Sequence, residues 1–119
     1  MFEKFTKQGN TEARDYFERA IALDPTYALA HAGLASTYNR DLLLQFSDDR
    51  ANAAKQAFEA ASKAVELDQT DSYAHAMLSI AHMWPDRYDA SVIEAERAVD
   101  LNPSNPIALA ILGTALKAV

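Results

Sequence analysis

Three histidines have the widest chemical repertoire in this chain, and their spacing decides how much of it is open to them. His75 and His82 lie seven residues apart, two helical turns, so both project from one face of any helix that carries them. Two imidazoles on one face can begin a zinc site, which then needs further carboxylate, thiolate or imidazole ligands to close it. No carboxylate lies between Ser72 and Met83, and the chain has no cysteine. No metal is therefore expected, and disulfides and thiolate catalysis are excluded. The carboxylate pairs Asp48-Asp49 and Glu94/Glu96 fall at a helix start or on an outer helix face, where solvated charge is the default. No glycine-rich phosphate loop, nucleophile elbow or H-E-x-x-H pair occurs. The sequence carries no enzyme signature, so no catalytic residue and no cofactor is expected.

The elements that hold these residues follow from a segment that occurs three times. Residues 17–25 read FERAIALDP, residues 61–69 ASKAVELDQ and residues 95–103 AERAVDLNP. Each is followed by an alanine-rich opening: YALAH from Tyr27, YAHAM from Tyr73 and IALAI from Ile107. Leu67 and Leu101 are 34 residues apart, while Leu23 and Leu67 are 44 apart, so one unit carries ten extra residues. A period of this length built from helix pairs predicts a solenoid.

At each phase the residues can then be set against a known pattern. The first-helix positions are His31-x2-Leu34-Ala35-x2-Tyr38, His75-x2-Leu78-Ser79-x2-His82 and Leu109-x2-Leu112-Gly113-x2-Leu116. Those of the second helix are Ala13-x3-Phe17-x2-Ala20 with Pro25, Ala57-x3-Ala61-x2-Ala64 with Gln69, and Ser91-x3-Ala95-x2-Ala98 with Pro103. This resembles the tetratricopeptide repeat, W-x2-L-G-x2-Y then A-x3-F-x2-A then Pro. It departs in having no Trp at the first anchor, Ala for Phe twice and Gln69 for one Pro. The resemblance implies an all-α fold, an α-α superhelix of antiparallel pairs, called A and B helices below. Residues 1–119 form one domain: a partial repeat 1–27, a repeat 28–71 with the insertion, a repeat 72–105 and a partial repeat 106–119. The chain reads as an excised piece of a longer protein, with Met1–Lys7 left as half of an A helix. Its opening, GNTEARDYFERA, and the long insertion also resemble repeat regions that follow bacterial nucleotidyl cyclase or winged-helix regulator domains.

Local signals predict helices near 11–24, 28–44, 48–67, 72–83, 87–101 and 106–118. Pro25 and Pro103 stop helices, and Ser104-Asn105-Pro106 restarts one with a capping side chain and a first-turn Pro. Residues 41–52 hold the insertion, expected as a lengthened hairpin with Phe46 folded back on it. Ala20, Leu34, Ala35, Ala64, Leu78, Ala98 and Leu112 are expected between helices. Net charge is −6 with 11 scattered basic residues, so no basic stripe tracks a phosphate backbone and nucleic acid is not an expected partner. No apolar run of about 18 residues spans a bilayer, and a cytoplasmic location is expected.

The A-helix face opposite the packing anchors holds the candidate binding residues. At 100° per residue, Tyr73, Met77, Ile80 and Trp84 form one stripe. The matching stripes are Leu29, Gly33, Ser36 and Arg40, and Ile107, Ile111, Thr114 and Ala118. In tetratricopeptide-repeat proteins the concave A-helix surface is the usual docking site for peptides, so the resemblance makes these residues the ligand candidates. Members that clamp acidic chaperone C-termini use Lys, Arg and Asn there; these stripes offer Arg40, with Lys117 near the rim. The reading is a non-catalytic protein-interaction scaffold taking an apolar peptide or helix. Its alternative is a regulatory or oligomerising module of a larger bacterial signalling enzyme or transcription regulator. Leu109, Leu112 and Leu116 on the last helix are expected to drive self-association into a homo-oligomer.

Overall fold

The computed structural model describes residues 6–84 and 87–117, with side chains in the last helix through Gly113. Its six helices are α1 (Lys7–Leu23), α2 (Ala28–Leu43), α3 (Arg50–Leu67), α4 (Ser72–Met83), α5 (Tyr88–Leu101) and α6 (Pro106–Lys117). No strand occurs among the described residues. Each helix packs on the next, and α2, α4 and α6 also touch in succession, whereas no contact joins α1, α3 and α5 to one another among those residues. The even-numbered A helices therefore form the inner layer and the B helices the outer one. This is the α-α superhelix that the repeat phase predicts.

The same short-range chemistry makes the turn after every B helix. Asp24, Asp68 and Asn102 leave the helix in an extended conformation while their N–H groups donate to Ala20, Ala64 and Ala98. Each side chain then accepts the N–H two residues on: Thr26 at 3.1 Å, Thr70 at 3.0 Å and Ser104 at 3.1 Å. These are Asx turns. They explain why Gln69 replaces Pro without loss of geometry, since the Asp or Asn, and not the Pro, is the shared device. Hydrogen bonds from Thr70 also hold the Asp68 carboxyl below its usual range. His31 and His75 brace the same turns from the A helices, their Nε2 atoms donating to the carbonyls of Pro25 at 2.9 Å and Gln69 at 2.8 Å.

Several boundaries differ from the sequence expectation, and the starts of α1 and α3 do so because of their caps. α1 opens at Lys7 and not near Thr11, because Thr6 caps it by accepting the N–H of Gly9 at 2.9 Å. Lys7 therefore belongs to α1 and not to a half A helix, and residues 1–5 lie outside the described residues. α3 opens at Arg50 rather than residue 48, with Asp49 as the cap accepting from Asn52. α1 ends at Leu23 and α2 at Leu43, and α5 starts at Tyr88. Residue 118 lies outside the described residues. At the other end of the α2–α3 connection, the N–H of Phe46 reaches back to the carbonyl of Asp41 at 2.9 Å, and Gln45 takes a φ of 58°. That left-handed residue and reach-back bond form a Schellman stop. α2 and α3 contain 16 and 18 residues against 12 and 14 in α4 and α5. Each helix of this hairpin is one turn longer than its counterpart, and Phe46 is half-buried.

Alanine dominates the core. Ala35, Ala61, Ala64, Ala76, Ala95 and Ala98 are fully enclosed, with Met77, Leu78 and Ile111 beside them and Leu34 and Leu112 packed against the cluster. Ala20 is only half-buried. Gly33 lies directly against Phe17 of α1. A Cβ there would overlap the ring of Phe17 on α1. Gly33→Ala should therefore destabilise the fold by about 1–3 kcal/mol, read by urea unfolding, although alanine is the better helix former. Adding Phe17→Leu should return part of the loss. Equal or greater stability of the single variant would contradict the packing.

Candidate functional site: the inner face of the A helices

The apolar face of the inner layer gathers side chains from three helices. Leu43 at the end of α2, Ile80 and Met83 on α4, and Pro106, Ile107, Ala110 and Ile111 on α6 line a depression of about 430 Å³. They converge because α2, α4 and α6 lie side by side and the extra turn of α2 carries Leu43 to the rim. Leu43 and Met83 were not among the sequence candidates. Leu43 falls in the insertion, outside the repeat phase, and Met83 falls one residue off the stripe.

Other stripe members sit elsewhere. Leu29 is exposed near the start of α2. Gly33 faces α1, and Ser36 is buried with its hydroxyl turned back to the carbonyl of Gly33 at 2.7 Å. Arg40 extends to Asn10 Oδ1 at 3.5 Å. Met77 is buried in the core, its carbonyl accepting from Asn39 Nδ2 at 3.3 Å. Tyr73 packs on Ala32, Ala64 and Ala74 between α2, α3 and α4. The Trp84 indole N–H donates to Asn39 Oδ1 at 3.2 Å, and its ring lines a separate pocket against α3. On α6, Leu109 is 48% exposed, whereas Leu112 packs on the core. The side chains of Thr114, Leu116 and Lys117, and all of Ala118, lie outside the described residues.

Buried polar pairs between helices are the features that sequence spacing missed. Glu94, expected on a solvated outer face, is 9% exposed and sits with Oε1 2.7 Å from His75 Nδ1, while Arg97 Nη1 holds its other oxygen at 3.2 Å. The carboxylate that the α4 face lacks in sequence is thus supplied by α5. Nearby, the Ser79 hydroxyl donates to the carbonyl of Ser91 at 2.6 Å. Between α1 and α2, buried Asp41 accepts from Arg14 Nη2 at 2.6 Å and from Asn10 Nδ2 at 2.9 Å. Arg14 also lies 4.0 Å from the centroid of the Tyr38 ring, and burial raises the Tyr38 hydroxyl above its ordinary value despite that cation. No group of three or more potential metal ligands forms among the described residues. Each of these polar groups is engaged in holding helices together.

His82 is different. Its ring stands edge-on to Phe58 with centroids 5.5 Å apart, and Nδ1 is buried with no hydrogen-bond partner among the described residues. Burial, aided by Arg87 and opposed by Glu94, lowers its pKa below 6.5. The unfolded chain therefore binds a proton near pH 6.5 that the folded chain refuses, and the stability His82 allows at neutral pH is lost as pH falls through that value. Between about pH 7 and pH 5, the protein should lose more stability to urea than His82→Leu does. Parallel pH profiles would contradict the assignment.

No protein-family model matches the chain. A curated protein of Rhizobium meliloti (strain 1021), named "Putative adenylate cyclase 3", is 32% identical over 95 residues, covering 80% of this chain and 16% of that protein. The chain thus spans about a sixth of the length of the curated relative it matches. Solved structures agree at the level of architecture. The first TPR domain of human RPAP3 superposes with a TM-score of 0.76 at 23% identity, over 94% of this chain and 81% of that one. The TPR domain of Arabidopsis OM64 gives 0.75 at 20% identity, over 94% and 84%. The first TPR of Spaghetti (RPAP3), solved bound to the HSP90 peptide SRMEEVD, gives 0.75 at 23% identity, over 94% and 82%. Six helices that superpose over 94% of the chain on three solved TPR domains, with TM-scores of 0.75 to 0.76, give the chain the tetratricopeptide-repeat fold.

Proposed function

We propose that this chain is a non-catalytic protein-interaction module whose A helices receive an apolar peptide segment or the apolar face of a partner helix. The observation that carries this reading is the depression of about 430 Å³ walled by Leu43, Ile80, Met83, Ile107 and Ile111. A structural neighbour is solved with the acidic peptide SRMEEVD. Among the described residues the lining is apolar, so the ligand proposed for this chain is apolar and not an acidic tail. Four aliphatic side chains entering such a groove would contribute about 6–12 kcal/mol gross, at roughly 1.5–3 each. Ordering and association cost about 4–15 kcal/mol, which leaves a weak to moderate interaction suited to reversible assembly.

A second reading, a regulatory or oligomerising module within a larger signalling enzyme, is supported by the 95-residue likeness to the Rhizobium meliloti protein. Leu109, 48% exposed in the first turn of α6, supplies an apolar surface through which copies would meet, with Leu112 one turn further on. The two readings are compatible, since either uses the array to bring proteins together. We place both in the cytoplasm; among the described residues no helix is long and apolar enough to cross a membrane.

Ile80→Lys and Ile107→Lys should each weaken capture of a bound partner by about tenfold or more, measured by titration against the isolated partner. Charge reversals on the outer helices at Glu12, Glu18 and Glu59 should leave it within about twofold. The opposite pattern would put binding on the outer layer. For self-association, sedimentation velocity should show a concentration-dependent dimer that Leu109→Lys reduces. A monomer at all concentrations would end that part of the reading.

A further inference from the structure

A second pocket lies outside the groove, between the first half of α3 and the end of α4. Ala54, Lys55 and Phe58 of α3 face Ala81 of α4 and Trp84 just after it, with Arg87, the residue that precedes α5, closing one side around about 260 Å³. Among the described residues its walls are two aromatic rings and two alanines, and its charged lining residues are two cations. Among the described residues neither Lys55 nor Arg87 makes an ion pair, a state they share with Lys7 and Arg50, whereas Arg14, Arg19, Lys63 and Arg97 are paired with carboxylates. In a chain with 17 acidic and 11 basic residues, two cations beside one aromatic pocket, with no carboxylate among its described lining residues, offer a ligand anion a place to pair. The pocket is also held in shape beforehand: buried Asn39 fixes the Trp84 indole through the 3.2 Å bond to Nε1, and His82 backs the Phe58 ring. Preorganised aromatic walls reduce the ordering cost of binding.

We infer that this pocket binds an apolar carboxylate, an aromatic or branched group stacked between Phe58 and Trp84 with its carboxylate held by Lys55 and Arg87. The acid is either a free small molecule or the end of a peptide chain. Charge-assisted hydrogen bonds from lysine and arginine give the selectivity for the anion, and the rings give the selectivity for an apolar body. The site is separate from the A-helix groove, so its occupancy does not depend on the function proposed above.

Trp84 is the single tryptophan of the chain, so its fluorescence reads this pocket alone. Titration with phenylacetate should give a saturable change in Trp84 emission, and 2-phenylethanol, which keeps the ring but lacks the charge, should bind at least about fivefold more weakly. Lys55→Gln and Arg87→Gln, both at exposed positions, should each weaken phenylacetate by about fivefold with unchanged circular dichroism, and Phe58→Ala should weaken both ligands. A peptide Ala-Ala-Ala-Phe compared with its C-terminal amide separates the two sources. Preference for the free-carboxylate peptide assigns the site to chain ends, and binding of phenylacetate without either peptide assigns it to small acids. Equal affinity for phenylacetate and 2-phenylethanol, a merely linear change with phenylacetate, or indifference to both charge-removing substitutions would overturn the inference.

Discussion

Helices in this protein meet across alanine, and that constraint governs the rest. Where Ala61, Ala64, Ala95 and Ala98 are fully enclosed, there is no side chain long enough to span a gap, so the backbones must lie close for the seams to fill at native density. Close backbones fix the angle between successive units, and the angle sets which A-helix side chains reach the inner face. The apolar depression is a consequence of that angle. Larger residues at the seams would push α4 and α6 apart and disperse its walls.

Tight seams also explain why so many small polar groups are buried. A serine or histidine enclosed between helices needs a partner within reach, and across an alanine seam the partner is the neighbouring helix. Ser72 donates to the carbonyl of Ala98 at 2.7 Å and accepts from Asn105 Nδ2 at 2.8 Å, which ties the start of α4 to the end of α5 and the start of α6. Asn105 in turn caps α6 through the N–H groups of Ile107 and Ala108. The α1–α2 seam works differently. Its Arg14–Asp41–Asn10 cluster replaces alanine contact with charge and hydrogen bonds, which give direction but tolerate less change because removal of one partner leaves a buried charge alone.

The sequence made the period, the helix pairs and the alanine seams legible, because these depend on residues within one or two turns of each other. The Asx turns were half legible: Asp and Asn recur at the right phase, but the more conspicuous prolines drew the assignment. Glu94 escaped notice because its partner His75 lies on another helix, and no local pattern marks a carboxylate that a neighbour will enclose. The groove was legible only in part. A stripe at 100° per residue gives direction around one helix axis, whereas Trp84 turns toward α3 and Gly33 toward α1 because of how units are wound on each other. Leu43 reaches the groove through an extra helical turn whose length the sequence showed and whose destination it did not.

The seam is also where the account is most directly open to measurement. Ala95→Leu would insert three carbons where α5 lies against its neighbours. Urea unfolding should then show a loss of about 2 kcal/mol or more relative to the unsubstituted chain, while Ala51→Leu at an exposed helical position should change stability by less than about 0.5 kcal/mol. Unchanged or increased stability of Ala95→Leu would mean that the helices do not meet as closely as described, and the groove that depends on their spacing would have to be abandoned with them.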